Sequence, residues 1–275
     1  MTSMIRCDYH VHTCFCDGKN SPEELVQAAL SLGMTRLGFS AHSHVPFDAG
    51  GCLTPESTSA YRRELLRLRQ AYLGKIQIFI GVEQDYDSDV PPEGWDYVIG
   101  SVHCLHLGEE YIPVDHEPEK LIYAASRYFG GDMLSLCEAY YEKLGSVAEK
   151  TNCDLIGHFD LVTKFQEKMP LFDENHPRYV SAWRRAADRL LESGVPFEIN
   201  TGAMARGYRT SPYPSTEILL YLKERGAEFV LSGDSHRAQT LCWEFDAQEA
   251  RLREMGITLR TEFPSNPRVG QKKPV

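Results

Sequence analysis

The chain has 275 residues, of which 42% are hydrophobic and 25% charged, with a net charge of −10. That balance excludes a disordered chain, which lacks the apolar residues to offset ordering entropy. No apolar run nears the roughly 18 residues of a membrane span, and an acidic excess with no basic stripe argues against a nucleic-acid partner.

A first strand is expected over 5–10, and the chain continues through Asp8-Tyr-His10-Val-His12 into a loop carrying Cys14, Cys16 and Asp17. Ser21-Pro-Glu-Glu24 reads as a capping box with proline at the first helical position, and Gly33 ends that helix. Strand two is expected over 36–40, followed by His42, then a helix over about 55–73. Strand three, 76–83, is an almost unbroken apolar run that ends at Glu83. Such runs suit strands buried on both faces, hence a parallel sheet. Strand four spans 97–103 and ends at His103; a helix follows over about 132–150. Strand five, 154–158, delivers His158 and Asp160. The remaining elements are a helix over 178–193, strand six over 196–200, a helix over 215–225, strand seven over 229–232, a helix over 247–255 and strand eight over 257–260. Strand seven leads into Gly233-Asp234-Ser-His236.

Strand–helix alternation along the whole chain implies a barrel or a doubly wound sheet, and seven or eight strands in this length favours the barrel. The open sheet is the runner-up. Residues 1–275 are expected to form one domain. The N-terminus lacks a signal-peptide core, so a cytoplasmic protein is expected. The eight cysteines, at 7, 14, 16, 52, 104, 137, 153 and 242, contain no CxxC pair. Zinc ribbons and dithiol redox chemistry are therefore not indicated.

The informative signal is positional. Six strand ends, distant in sequence, each supply His, Asp or Glu: His10 and His12, His42, Glu83, His103, His158 with Asp160, and Asp234 with His236. In a parallel barrel these ends share one face, where active sites are built. Unpaired burial of so many ionisable groups is unfavourable, and divalent cations resolve it. His and carboxylate donors suit Zn, Mn or Fe, and the spacing does not choose among them. Two to three such ions are expected.

Three groups of residues carry a resemblance to a known family. Asp8-Tyr-His-Val-His-Thr13 with Phe15-Cys-Asp-Gly18 resembles the opening motif of the polymerase-and-histidinol-phosphatase (PHP) metallophosphoesterases. Phe39-Ser-Ala-His42, Gly81-Val-Glu83, Gly100-Ser-Val-His103, Ile156-Gly-His158 and Ser232-Gly-Asp-Ser-His236 resemble its later motifs, in order. Gly157-His-Phe-Asp-Leu-Val-Thr-Lys-Phe165 and Glu198-Ile-Asn-Thr-Gly202, with Arg206 and Pro212-Tyr-Pro-Ser215, are similar to the histidinol-phosphatase branch. The resemblance implies a distorted (β/α)7 TIM-like barrel with three metal ions at the C-terminal ends of the strands. By that resemblance His10, His12, Glu83 and Asp234 hold one ion; Glu83 bridges to a second, with His103 and His158; and Asp17, His42 and His236 hold the third. One departure is Ala41, where many members carry an acid before the histidine.

The reaction so implied is hydrolysis of L-histidinol phosphate to L-histidinol and phosphate, a step of histidine biosynthesis. Asp17, His42 and Asp160 are the expected catalytic groups, with Asp160 either accepting a hydrogen bond from His158 or protonating the leaving group. Arg206, Lys164, Arg209 and His44 are the expected substrate-binding groups. Acids at the barrel mouth, such as Asp48, Asp85 or Asp87, are candidates to meet the substrate's ammonium. A phosphoesterase acting on nucleotides or oligonucleotides is the alternative, and a non-catalytic metal-binding module is a further one.

Overall fold

The computed structural model describes residues 7–48, 50–260 and 262–263. Seven strands form one sheet in the order β1 (Cys7–Asp8), β2 (Arg36–His42), β3 (Gln77–Asp85), β4 (Tyr97–Ser101), β7 (Leu155–Ile156), β8 (Phe197–Asn200) and β9 (Phe229–Ser232). Every pairing between them is parallel. The two edges meet just beyond their strand ends: Val11 bridges Ser235, with His12 N–H donating to Ser235 O at 2.9 Å and Ser235 N–H to His10 O at 2.9 Å. The sheet thus closes into a barrel. The first expected strand began at Ile5, which lies outside the described residues.

The helices lie between the strands. α1 (Pro22–Ser31) has the expected capping box between Ser21 and Glu24, and Gly33 past its end takes a φ of 68°. α2 (Pro55–Ala71) is capped by Thr54 and Ser57. The helix expected over 132–150 is two: α4 (Met133–Leu144) and α5 (Val147–Thr151), broken at Gly145–Ser146. A glycine inside a helix costs about 1 kcal/mol, so the break is inexpensive there. It also lets Val147 and Thr151 turn into the core, where both are buried. α6 (Pro177–Leu191), α8 (Thr216–Glu224) and α9 (Phe245–Glu254) follow the sequence reading within two residues.

Three features went unread in the sequence. A hairpin of β5 (Cys104–Leu107) and β6 (Glu110–Pro113) leaves the barrel after β4, α3 (Pro118–Tyr128) follows it, and α7 (Gly202–Ala205) is a single turn after β8. The eighth strand expected over 257–260 reduces to one bridge, Leu259 with Phe229. Seven strands already close the sheet, and the segment covers only the start of β9.

The barrel interior shows why the site sits where it does. Alternation puts Phe79, Gly81 and Glu83 of β3 on one face, and Tyr97, Ile99 and Ser101 of β4 likewise. Tyr9, Phe79, Tyr97, Ile99, Leu155, Val230 and Phe263 fill the lower layers as one apolar cluster. A Cβ on Gly81 would lie 2.4 Å from the Tyr97 ring, so only glycine leaves that ring its place. Glu83 and Ser101 are the next inward positions, and the interior turns polar there.

Candidate metal centre

Glu83 is 1% exposed and stands at the centre of the polar layer. Its Oε2 faces His42 Nδ1 at 2.8 Å, His10 Nε2 at 3.3 Å and His12 Nε2 at 3.5 Å. Its Oε1 faces His158 Nε2 at 2.8 Å and His103 Nε2 at 3.2 Å, and accepts from Ser101 Oγ at 2.7 Å. Asp234 Oδ1 lies 3.3 Å from His12 Nε2 and 3.8 Å from His10 Nε2. Asp17 reaches His236 Nε2 at 3.0 Å and His42 Nε2 at 3.6 Å. All nine residues expected as metal ligands therefore meet in one continuous cluster.

β1 stops at Asp8, so His10 and His12 do not lie on a strand. They flank the single bridge made by Val11, which keeps the alternation and turns both rings to the same side. Asp8 fixes the turn, its Oδ1 accepting from His10 N–H at 3.2 Å and from Gly233 N–H at 3.0 Å.

The electrostatics are those of a crowded ionic pocket. Burial would raise the Glu83 carboxyl, but His10, His103 and His42 around it outweigh burial and hold it well below the usual range. Asp234 is held well below its usual range in the same way: burial opposes, and Arg206 and His10 prevail. Burial pulls His10 down, yet Glu198, Glu83 and Asp234 carry it well above the ordinary imidazole value. His12 shows the opposite outcome. Burial, then the neighbouring His236 and His42, push it down to about 3.

The donor set fits divalent metal ions. Buried His10 Nε2, His12 Nε2 and Asp17 Oδ1 have no hydrogen-bond partner among the described residues, although each points into the cluster. Buried polar atoms are otherwise almost always paired. Among the described residues, three groups have one ligand atom per residue within 4.8 Å of one another: His12 with Asp17, His42 and His236; His10 with His12 and Asp234; and His42 with Glu83 and His103.

Sequence reasoning named Glu198 within a motif and Asp85 as a candidate for the substrate's ammonium, but gave neither the role of holding these ligands. Glu198, fully buried on β8, accepts from His10 Nδ1 at 2.6 Å and from His158 N–H at 2.8 Å. Asn200 Nδ2 donates to the same carboxylate at 2.9 Å. Glu198 lies within β8 rather than at its end, so the strand-end signal did not single it out. Asp85 holds His103 Nδ1 at 2.9 Å. Ala41 is fully buried, and its N–H donates to Tyr61 OH at 3.2 Å, so His42 takes its orientation from Glu83 and Asp17 instead.

The cluster floors an open cleft of about 370 Å³, whose rim includes Lys164, Arg206, Asp115 and His116. Arg206 donates to Asp234 Oδ2 at 2.9 Å, from the end of the α7 turn. Lys164 Nζ is held by Asp115 O at 2.6 Å and sits 4.9 Å over the Tyr208 ring. The other expected contacts are placed elsewhere. Arg209 is buried, donates to Thr163 Oγ1, lies 3.7 Å from Asp160 Oδ2 and stacks 4.5 Å over Tyr213. Asp160 is fully buried and accepts from Ser215 N–H at 3.0 Å, so its hydrogen bond does not run to His158. His44 pairs with Asp89 at 2.7 Å, outside the cleft lining.

Residues 8–202 match the PHP domain. The chain belongs to the PHP family. Two relatives, each named probable histidinol-phosphatase, are 29% identical over 261 residues. That of Deinococcus radiodurans matches 91% of this chain and 94% of its own length; that of Schizosaccharomyces pombe matches 86% and 81%. Among solved structures, the candidate histidinol phosphatase HisK of Listeria monocytogenes superposes with a TM-score of 0.75 at 19% identity, covering 88% of this chain and 99% of that one. The histidinol phosphate phosphatase of Lactococcus lactis, solved with zinc, L-histidinol and phosphate, gives 0.73 at 21%, covering 94% and 96%. Both likenesses bear on the fold: the PHP barrel is shared along nearly its whole length. No helix among the described residues is long and apolar enough to cross a membrane.

Proposed function

We propose that this PHP protein is a metal-dependent phosphomonoesterase that hydrolyses L-histidinol phosphate to L-histidinol and phosphate, as a cytoplasmic enzyme of histidine biosynthesis. The observation that carries the phosphatase reading is the division of labour at Glu83. One carboxylate oxygen faces His10, His12 and His42, and the other faces His103 and His158. A carboxylate so placed is able to bridge two cations. The substrate is the one carried in the names of the relatives, and it fits a small cleft with basic groups on one rim.

Two or three transition-metal ions, Zn, Mn or Fe, are the proposed cofactors. His10, His12, Glu83 and Asp234 would hold one, Glu83, His103 and His158 a second, and Asp17, His42 and His236 a third. Such ions lower the pKa of water toward neutrality and neutralise phosphate charge. This chain's own residues do the rest. Glu198 and Asp85 accept the far ring N–H of His10 and His103, which fixes the tautomer that leaves the other nitrogen free for a metal. Arg206 and Lys164 place donors at the cleft rim, where a phosphoryl group would meet them. Asp17 and His42, both on the cleft lining, are the proposed groups nearest the reacting phosphate.

Phosphate release from metal-replete protein, measured on histidinol phosphate, nucleotides and sugar phosphates, tests the reading. Histidinol phosphate is expected to lead in kcat/KM by at least tenfold. Preference for a nucleotide would overturn the assignment in favour of the nucleotide phosphoesterase alternative.

A further inference from the structure

Asp8 carries a carboxylate outside the proposed ligand set, and it is fully buried. Its Oδ1 accepts from two amides, the N–H of His10 at 3.2 Å and the N–H of Gly233 at 3.0 Å. Its Oδ2 accepts from the N–H of Cys242 at 3.4 Å. The three donors come from three segments: the chain after β1, the chain after β9 and the turn before α9. A carboxylate taken out of water is tolerated where such donors replace the water, and N–H groups bind a charged oxygen more strongly than a neutral one. One oxygen receives both the His10 and the Gly233 amide. The two amides therefore cannot lie further apart than two hydrogen-bond lengths.

Both amides stand at metal ligands. His10 is one itself, and Gly233 immediately precedes Asp234. His10, His12 and Asp234 form one of the ligand groups, and His10 and Asp234 reach it from opposite edges of the sheet. The residues around the contact are shaped for it. Gly233 does not take a positive φ, so its backbone does not call for glycine. A Cβ there would instead lie 2.3 Å from Asp8 Oδ2 and 2.7 Å from Ser235 Oγ. Asp234 does take a positive φ, 47°, which a non-glycine residue keeps only where its surroundings hold it. Asp8 on the preceding amide and Arg206 on its carboxylate, at 2.9 Å, are two such contacts.

We propose that Asp8 is a positioning residue: by taking the His10 and Gly233 amides on one oxygen, it sets the spacing of His10 and Asp234 across the barrel's joint, and with it the affinity for the ion they share. The proposal rests on the metal-centre reading above. The Val11–Ser235 bridge joins the two edges, and Asp8 fixes how the ligands on either side of it face each other. His103 and His158 stand on neither of the segments that Asp8 ties.

The test reads zinc binding to the whole protein by chelator competition, beside the Tm of zinc-loaded and chelator-treated samples. Asp8→Ala is expected to lose one zinc equivalent or to bind it at least tenfold more weakly, and the gap between its two Tm values is expected to shrink. Asp8→Asn keeps an Oδ1 to which both amides donate, and is expected to stay within threefold of wild type. Gly233→Ala is expected to repeat the loss alone, and to add less than threefold in the Asp8→Ala background, where its methyl meets no carboxylate. Leu190→Ala, a core truncation in α6, is the control for lost stability: its Tm falls while its zinc affinity stays within twofold of wild type. If Asp8→Ala does not fold, Asp8→Ser takes its place, with a loss of at least threefold expected. Unchanged zinc affinity in Asp8→Ala, an equal fall of both its Tm values, or an Asp8→Asn as weak as Asp8→Ala would each overturn the proposal. Failure of the wild type to bind zinc would overturn the metal-centre reading itself. Zinc binding that ignores Asp8 would overturn the positioning role and leave that reading intact.

Discussion

At the residue scale, the decisive side chains are those that oppose burial with charge. Glu83 is buried among five imidazoles, and Gln at that position keeps the shape while removing the charge that draws cations there. Glu83→Gln is expected to lose at least one metal equivalent and nearly all turnover, with an unchanged circular dichroism spectrum; elemental analysis checks it, and full metal content with full activity refutes the bridging role. Glu198 acts through His10. Glu198→Gln leaves a side chain of the same size but a weaker acceptor for His10 Nδ1–H, and losses of 10–100-fold in metal affinity are typical when such a partner is removed. A chelator competition showing wild-type affinity would count against it. Most of this site was legible, because strand ends carrying His, Asp and Glu recur in the sequence at every other element. What stayed hidden was any pairing between elements. Asp160 and Arg209 read as cleft residues from their positions, yet they lie 3.7 Å apart beneath the surface, and only the fold reveals such a match.

The element scale shows how packing sets up that chemistry. Tyr97 lies across the barrel beneath Glu83, its hydroxyl donating to Tyr9 O at 2.6 Å, and Gly81 makes room for its ring. Gly81→Ala forces a methyl into that ring. Overpacking of this kind costs about 1–3 kcal/mol, and here it also displaces Glu83 two residues on. Chemical denaturation is expected to show the loss, and metal affinity is expected to fall with it. In a Tyr97→Leu background the same substitution is expected to cost less, because the two share one volume; strict additivity would show that they do not compete. The alternation of strands and helices was readable because buried parallel strands are apolar throughout and helix ends carry proline, capping residues and glycine. The β5–β6 hairpin was not readable. Its strands have only four residues each, and Tyr111 stacks on Phe47 and His106 rather than in a barrel layer, so the hairpin leaves no periodic trace.

For the molecule as a whole, the metal centre is also a closure device. β7 has two residues, so the backbone ladder is thin at the strand that delivers His158. The barrel's last joint, between the chain after β1 and the chain after β9, is a single bridge among the described residues, Val11–Ser235. Ligands from both sides of that joint, His10 and His12 from one and Asp234 and His236 from the other, face a common space. Ions bound there would tie the two edges together, and their removal would leave carboxylates and imidazoles to face one another unaided. An ion that binds the folded chain and not the unfolded one stabilises it by roughly 4 kcal/mol when its free concentration is about 1,000 times Kd. For a chain of this size each kcal/mol moves Tm by about 2–4 °C, so stripping the metal is expected to lower Tm by roughly 10 °C. Hydrogen exchange is expected to quicken first at 10–12 and 234–236, on the two sides of the joint, before it changes in the longer β2–β3 ladder. Scanning calorimetry of the zinc-loaded and chelator-treated protein measures the first effect, and Glu83→Gln should show little further loss on chelation. An unchanged Tm after complete metal removal would mean that the seven strands hold the barrel closed by themselves, and that the cluster contributes chemistry alone.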